Sequence, residues 1–223
     1  KDDSVQRNFT VDENIVCMQL TGLLIKIDRA SSSISYYKPD GTLLLKERKK
    51  DSRTMEAFQS YRVEQAGQTT HIQTADGVKT FVKDAVRVPD KQLYHTRMHF
   101  EWQQGEALYG LGQHEEGVLN LRGHQVYLHQ ANRKIAIPLL VSSLGYGILM
   151  NTSSTMIFSD TEYGSYLYTE AVPQLDFYFI NGEWMVLYVS TEGLRERHQC
   201  FRGGHLAICS HRSAMSLRRK FVR

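Results

Sequence analysis

Residues 109–151 read YGLGQHEEGVLNLRGHQVYLHQANRKIAIPLLVSSLGYGILMN, and the rest of the chain is organised around this stretch. A glycine-rich turn opens it, a polar loop follows, and an apolar run closes it. Proline, serine and glycine interrupt the apolar run IAIPLLVSSLGYGILM, so it is too broken to form a membrane-spanning helix. Two apolar segments that flank a Ser and Gly turn are typical of a buried β-hairpin.

The segment Leu93–Trp102 shows the clearest strand pattern outside that stretch. Every second residue from Tyr94 to Trp102 is apolar or Thr, whereas the residues between them are His95, Arg97, His99 and Glu101. This alternation predicts a strand with one core face and one solvent face. His95 and His99 have a helical zinc spacing, but on a strand they are two polar positions on the solvent side, so no metal site is predicted.

Turn residues divide the remaining sequence into many short candidate strands. Pro39, Asp40 and Gly41 predict a tight hairpin turn between residues 33–37 and 42–46. Other strands are predicted over 11–27, over 65–81 around Gly67 and the Asp76 and Gly77 turn, and over 134–142, 147–151, 155–159, 164–170 and 175–180. Because no segment has a convincing amphipathic helical pattern, the sequence predicts an all-β protein, an antiparallel β-sandwich.

The formal net charge of +3 is unevenly distributed along the chain. Residues 184–223 carry eight basic and two acidic side chains, whereas residues 1–183 carry 19 basic and 22 acidic ones. The folded part is therefore slightly acidic, and we expect neither a nucleic-acid nor a membrane partner. Three cysteines give no disulfide framework. The chain starts at Lys1 without Met or an apolar signal, which favours a processed periplasmic or secreted protein over a trimmed expression product.

Two local patterns near the start of the central stretch could indicate a dinucleotide site or an acid and base pair, but a turn and a surface loop explain them more simply. The GxG of Gly110 and Gly112 lacks a βαβ context, so we expect a turn that needs glycine rather than a dinucleotide site. Glu115 and Glu116 follow His114 and could be drawn as acid and base. Adjacent residues of an extended segment point to opposite sides, so we expect a surface loop instead.

The stretches YGLGQHEEGVLNLRG, QANRKIAIPLLVSSLGYGILMN and LDFYFINGE together resemble the amino-terminal β-sandwich of glycoside hydrolase family 31. The opening FTVDENIVCMQLTGLLIKIDRASSSISYYKPDGTLLLKE is also similar to the first strands of that domain in bacterial members. The family comprises retaining α-glycosidases, including α-glucosidases and α-xylosidases. The resemblance implies a galactose-mutarotase-like supersandwich over residues 1–183 that packs on a catalytic (β/α)8 barrel.

The same resemblance implies a non-catalytic domain. Family members use two aspartates of the barrel, and retention requires two carboxyl groups about 5 Å apart. Neither aspartate has a counterpart here, so we expect no catalytic residue, no metal and no cofactor in this chain. The face that docks on the missing barrel should be apolar, and we expect it to cause self-association.

The resemblance also implies a loop at the rim of the substrate pocket. The candidate residues lie immediately before the apolar run, and they are His129, Gln130, Asn132, Arg133 and Lys134. Amides and guanidinium groups suit the recognition of sugar hydroxyls, and Tyr127 could add an aromatic face. The alternative is a polar loop that satisfies its own backbone and the barrel interface. Without the barrel, we expect carbohydrate binding to be weak.

Residues 184–223 have the composition of an out-of-frame tail. Family members leave the sandwich through P-M-x-P-x-W followed by G-Y-x-Q-S-x-E-R-Y. When each codon of residues 198–216 is shifted by one base, permitted codons spell P-M-L-P-R-W-T-L-G-Y-L-Q-S-Q-E-R-Y-E. We therefore expect a frameshift near Glu183 and a poorly packed tail, whose Cys and His residues match no zinc motif.

Two other functions remain open from the sequence. A free-standing carbohydrate-binding module would need an exposed aromatic platform, for which Tyr163, Tyr166 and Tyr168 are candidates. A mutarotase-type epimerase would need an acid and a base that face one sugar, for which His99, His124 and Glu115 are candidates.

Overall fold

The computed structural model describes residues 8–65, 67–83, 85–182 and 215–216. Within these ranges the chain forms seventeen strands and no helix, and no helical segment that is long and apolar enough to span a membrane is found there. The strands are β1 Asn8–Val11, β2 Ile15–Leu20, β3 Leu23–Asp28, β4 Ile34–Tyr37, β5 Leu43–Glu47, β6 Arg53–Gln65, β7 Gln68–Thr74, β8 Gly77–Lys83, β9 Val86–Glu101, β10 Leu108–Gln113, β11 Gln125–Leu128, β12 Ile135–Ser142, β13 Tyr146–Met150, β14 Met156–Thr161, β15 Gly164–Val172, β16 Phe177–Asn181 and β17 Met215–Ser216.

Two antiparallel sheets form the sandwich. The first has ten strands in the order β1-β2-β3-β4-β5-β9-β15-β14-β11, with β6 also paired to β9. The second has five strands in the order β10-β12-β13-β16-β17, and β7 and β8 form a separate two-stranded ribbon. The prediction of an all-β antiparallel sandwich is therefore confirmed.

The core lies between the two sheets and is made of large apolar side chains from both. Tyr36 of β4 stacks on Phe179 of β16 with ring centroids 3.8 Å apart, and Tyr146 of β13 packs on the same phenylalanine. Burying side chains of this size supplies the main favourable free energy of folding. The two sheets are thus joined by a continuous aromatic and aliphatic core.

Strand β9 confirms the predicted alternation. Thr96, Met98 and Phe100 are buried in the core, and Arg97 and Glu101 are exposed on the other face. His95 and His99 occupy the outer face as predicted, but both are half-buried because aromatic rings of neighbouring strands cover them. The strand also begins earlier than predicted, at Val86.

The long strand β6 was not predicted from the sequence. Its thirteen residues, RTMEAFQSYRVEQ, pair with β9 from Arg53 to Gln65 and contain two register shifts. Apolar and charged residues are mixed on both of its faces, so the period-2 signal of a half-buried strand is weak. β10 and β11 were also missed, since glycine and polar residues hide their alternation.

The predictions for residues 184–223 fall outside the described residues, with one exception. Met215–Ser216 forms β17 and pairs with Tyr178 and Phe179 of β16. The out-of-frame origin of this segment and its poor packing stay predictions.

Candidate functional site

The glycine-rich turn is a bulge in β10 that only glycine can form. Gly110, Leu111 and Gly112 have φ angles of 99°, 62° and 101°, and the register with β12 shifts between the two glycines. A Cβ atom added at Gly112 would overlap the carbonyl oxygen of Ile135, and one at Gly110 would lie 2.5 Å from that of Leu139. The expectation of a turn that needs glycine is confirmed.

The bulge directs the chain into a loop at residues 114–120, which lies beside the predicted rim loop at residues 129–134. The two loops are neighbours because Gln113, which precedes the first, pairs with Ile135, which follows the second. His114 anchors the first loop, since its Nε2 lies 2.9 Å from the carbonyl oxygen of Leu111 in the bulge. The geometry of β10 and β12 therefore determines where the rim loop lies.

Two ion pairs join these loops. Nη1 of Arg133 lies 3.4 Å from Oε1 of Glu115, and Nζ of Lys134 donates a hydrogen bond to Oε1 of Glu116. The Lys134 ammonium holds the pKa of the Glu116 carboxyl below its ordinary value. Both glutamates are exposed, which confirms the surface-loop prediction. The sequence did not indicate the partners of these glutamates, because each pair joins residues that are 18 positions apart.

The five predicted rim residues lie in one short turn. Ala131 bridges to Lys134, and Arg133 has a φ of 62°, which makes this turn a tight one. Gln130 donates a hydrogen bond from Nε2 to the carbonyl oxygen of Ala136, at 3.4 Å. His129 and Asn132 are exposed, and their side chains make no hydrogen bond with any residue that the structure describes. Three of the five side chains thus support the loop itself, and two point polar groups at solvent.

The outer face of the second sheet, the one opposite the sandwich core, is also apolar. On β12 this face is formed by every second residue from Ile135 to Val141, and its neighbours on β13 and β16 are Leu149, Tyr178 and Ile180. Val141 and those three side chains form a second buried cluster, with Leu139 packed against it. Ile135 and Ile137, next to the rim loop, are 51% and 39% exposed. We call this surface the outer apolar face.

Among the buried carboxylates of the described residues, Glu47 and Glu106 have the smallest exposed fractions, and both serve the fold. Glu106 accepts hydrogen bonds from the hydroxyls of Ser142, at 2.5 Å, and Tyr146. Burial, and then the contact with Glu106, raise the pKa of the Tyr146 hydroxyl. Glu47 accepts a hydrogen bond from the Ile34 amide at 3.0 Å and lies 3.2 Å from Arg53. Burial raises the pKa of the Glu47 carboxyl to about 7 against the opposing effect of Arg53.

Two of the three aromatic residues considered for a carbohydrate platform pack against neighbouring side chains. Tyr168 has the Arg97 guanidinium 5.3 Å above its ring and His95 stacked beside it. Tyr166 lies against His99, with centroids 5.5 Å apart. Tyr163 is exposed alone in the turn between β14 and β15. This arrangement favours ordinary cross-strand packing on the outer face of the first sheet.

The residues considered for an epimerase are not brought together either. His99 lies on β9 and His124 immediately precedes β11, with β15 and β14 between these two strands. Three strand spacings separate the two histidines by roughly 14 Å. Glu115 follows β10, in the other sheet. This separation leaves the two histidines too far apart to contact one sugar ring together.

The comparisons with known proteins agree with the fold and the sequence motifs. The family model described as the glycosyl hydrolase 31 N-terminal galactose mutarotase-like domain matches residues 1–158. An α-xylosidase of Saccharolobus solfataricus is 36% identical over 99 residues, which is 40% of this chain and 14% of that protein. An isomaltosyltransferase of Sporosarcina globispora is 30% identical over 196 residues, covering 78% of this chain and 15% of that protein.

Solved structures show the same fold. The crystal structure of a family 31 α-xylosidase from a soil metagenome, complexed with xylose, has a TM-score of 0.58 at 20% identity, over 82% of this chain and 25% of that chain. The chain spans between 14% and 17% of the length of the curated relatives it matches. By the extent of the family match, this chain belongs to the glycosyl hydrolase 31 N-terminal galactose mutarotase-like domain family.

Proposed function

We propose that residues 8–182 act as the non-catalytic sandwich domain of a retaining α-glycosidase, of the α-glucosidase or α-xylosidase type. In this role the domain docks on a catalytic barrel through its outer apolar face and holds the rim loop at the edge of the sugar pocket. The observation that carries the proposal is the outer apolar face, because a single domain needs only one apolar face on each sheet.

The outer apolar face has the character of an interface between domains. Isolated exposed apolar residues are common on protein surfaces, but here the exposed Ile135 and Ile137 continue a buried apolar cluster along the same strand. Complete burial of an isoleucine is worth about 1.5 to 3 kcal/mol, so covering the exposed end favours docking.

The rim loop begins where the outer apolar face ends, since Lys134 directly precedes β12. A partner that covers Ile135 and Ile137 therefore comes close to the side chains of Asn132 and His129. Their amide and imidazole groups can exchange hydrogen bonds with sugar hydroxyls. The ion pairs to Glu115 and Glu116 fix the loop, which reduces the entropy lost on binding.

We further propose that residues 184–223 are translated out of frame. The support is the consecutive match of the shifted codons to the segment through which family members leave the sandwich. Sequencing the source DNA should show a single-base insertion or deletion near the codon of Glu183, relative to an intact homologous gene. A reading frame with no such change would contradict this proposal.

The docking face is tested by the double substitution Ile135→Asp and Ile137→Asp. We expect the unmodified chain to bind an apolar dye such as anilinonaphthalene sulfonate, and the double variant to bind several-fold less. Val11→Asp is the matched control, because Val11 is an exposed apolar residue of β1 in the other sheet. Equal dye binding by all three proteins, with unchanged circular dichroism, would contradict the assignment of the docking face.

The rim loop is tested by titration with xylose and with glucose. Because the barrel supplies the rest of the pocket, we expect at most weak binding, with a dissociation constant of about 1 mM or more. Tight, saturable binding that is lost in Asn132→Ala would show a complete site in this domain and would contradict its role as a rim.

A further inference from the structure

The two-stranded ribbon of β7 and β8 does not pack on the sandwich. It forms a sheet of its own, and Gln68–Gln73 and Val78–Phe81 are all exposed. Among them Ile72, Val78 and Phe81 are 49%, 62% and 48% exposed. A two-stranded ribbon alone is marginally stable in water, so a partner that extends the sheet would stabilise it.

The outer edge of β7 has no neighbour among the described strands and none of the usual protective residues. β7 pairs with β8 in continuous register from Gln68 to Thr74, without a bulge, and with no other described strand. Its sequence, QTTHIQT, contains no Lys, Arg, Asp, Glu, Pro or Gly. Proteins usually blunt exposed edges with charges, prolines or bulges. The edge of β8 follows that rule, since it contains Lys79 and Lys83.

We propose that two copies of this chain associate through antiparallel pairing of their β7 edges, which gives a two-fold, four-stranded sheet in the order β8-β7-β7-β8. Full overlap of two seven-residue strands places the axis at the central residue, His71. Thr70 of one copy then lies opposite Ile72 of the other, and Thr69 lies opposite Gln73. Every cross-copy pair is neutral when His71 is unprotonated, so two copies of the edge can pair without like-charge repulsion.

The apolar side chains of the ribbon support this arrangement. Thr70 pairs with Phe81 and Ile72 pairs with Lys79, so Ile72 and Phe81 lie on the same face of the ribbon. In the two-fold sheet, the Ile72 side chains of both copies lie on either side of the axis. Each lies in the same row as Phe81 of the other ribbon, about 10 Å away, with Thr70 between them. Association therefore places Ile72 and Phe81 of both ribbons on one face and satisfies backbone groups along the edge.

The expected affinity is modest. Two paired seven-residue edges form a small contact, at or below the lower size limit of specific protein interfaces. We therefore expect a dimer that forms in the micromolar range, in equilibrium with the monomer. A second copy is preferred over another strand as the occupant because the neutral edge matches itself along its whole length.

Sedimentation equilibrium of the 223-residue chain and two variants tests the proposal. His71→Lys places two charges directly opposite each other at the axis, and we expect it to weaken dimerisation at least tenfold. Thr80→Lys is the matched control, because Thr80 is the cross-strand partner of His71 on β8 and their side chains share a hydrogen bond of 3.1 Å. It adds the same charge one strand away from the edge, and we expect less than a threefold effect.

Three results would overturn the proposal. The chain could remain monomeric up to about 200 µM, well above a micromolar dissociation constant. The two lysine variants could weaken the dimer equally. The third result is loss of the dimer in the Ile135→Asp and Ile137→Asp double variant but not in His71→Lys, which would place the contact on the outer apolar face. Dye binding reports on that face independently, so the two proposals fail separately.

Discussion

Replacing Gly112 with Ala is expected to be far more damaging than the same change at Gly117, although both glycines have positive φ angles. Gly117 has a φ of 66° and open space around an added Cβ atom. An alanine there has only the cost of the left-handed conformation, about 1 to 2 kcal/mol.

At Gly112 the φ of 101° carries a similar conformational cost, and a steric cost adds to it. The added Cβ atom would overlap the carbonyl oxygen of Ile135 and lie 2.9 Å from the amide nitrogen of Ile137. These are backbone atoms of the paired strand, so β10 must move away from β12. That movement breaks the pairs of Gly112 with Ala136 and of Gln113 with Ile135. Two lost backbone hydrogen bonds cost about 1 kcal/mol each or more, which gives roughly 3 to 5 kcal/mol in all.

Urea unfolding, followed by circular dichroism and by tryptophan fluorescence, measures both variants. With a slope of about 2 kcal/mol per molar urea, Gly112→Ala should lower the midpoint by about 1.5 to 2.5 M and Gly117→Ala by less than about 1 M. The same midpoint for both variants would refute the argument that backbone contact with β12, rather than φ alone, requires glycine at position 112.

Two further predictions concern the buried carboxylates. Burial raises the folded-state pKa of Glu47 to about 7 from an ordinary 4.5. Between these two pH values the folded state holds a proton that the unfolded state releases. The free energy of unfolding should therefore fall by up to about 3 kcal/mol as the pH rises from 4.5 to 7. Glu47→Gln should flatten this dependence, and an unchanged pH profile would contradict the raised pKa. Glu106→Ala should cost about 3 to 5 kcal/mol because it leaves the buried Ser142 and Tyr146 hydroxyls without their acceptor. Glu101→Ala, which removes an exposed ion pair with Lys46, should cost less than about 1 kcal/mol in the same unfolding assay, and equal losses would contradict the structural role of Glu106.

The strands that could be predicted from the sequence are those with one solvent-exposed face and one buried face. Leu93–Trp102 shows this alternation, and the structure confirms it in β9. The Pro39, Asp40 and Gly41 turn likewise connects β4 and β5 as predicted. In both places local chemistry and tertiary packing favour the same conformation, so a single sequence is sufficient.

Other features depend on tertiary contacts that have no local signal. β6 has exposed residues on both of its faces, so its sequence lacks the alternation of a half-buried strand. Its position in the sheet is determined by pairing with β9. The partners of Glu115 and Glu116 could not be found, because ion pairs between two loops depend on the register of the β10 and β12 pair. The predicted rim residues lie on one loop, but the contacts of Arg133 and Lys134 with Glu115 and Glu116 are visible only in the structure.

The sequence also contains a signal for the outer apolar face, in the apolar run that predicted the hairpin. The nearly continuous apolar run from Ile135 to Met150 predicted a buried hairpin, and the hairpin is present as β12 and β13. Strands that are apolar at consecutive positions are typical of sheets covered on both faces. The same run therefore also indicates that both faces of the second sheet are apolar, and its exposed end at Ile135 and Ile137 is the basis of the proposed docking.

The most direct test of the central claim is hydrolysis of p-nitrophenyl α-glucoside and p-nitrophenyl α-xyloside by the purified 223-residue chain. The control is the same purification from host cells that do not express the chain, which measures contaminating host glycosidase. If this is a non-catalytic sandwich domain, release of p-nitrophenol will not exceed that control for either substrate. Turnover above the control that co-purifies with the chain would show that the sandwich holds its own acid and nucleophile, and it would contradict the account.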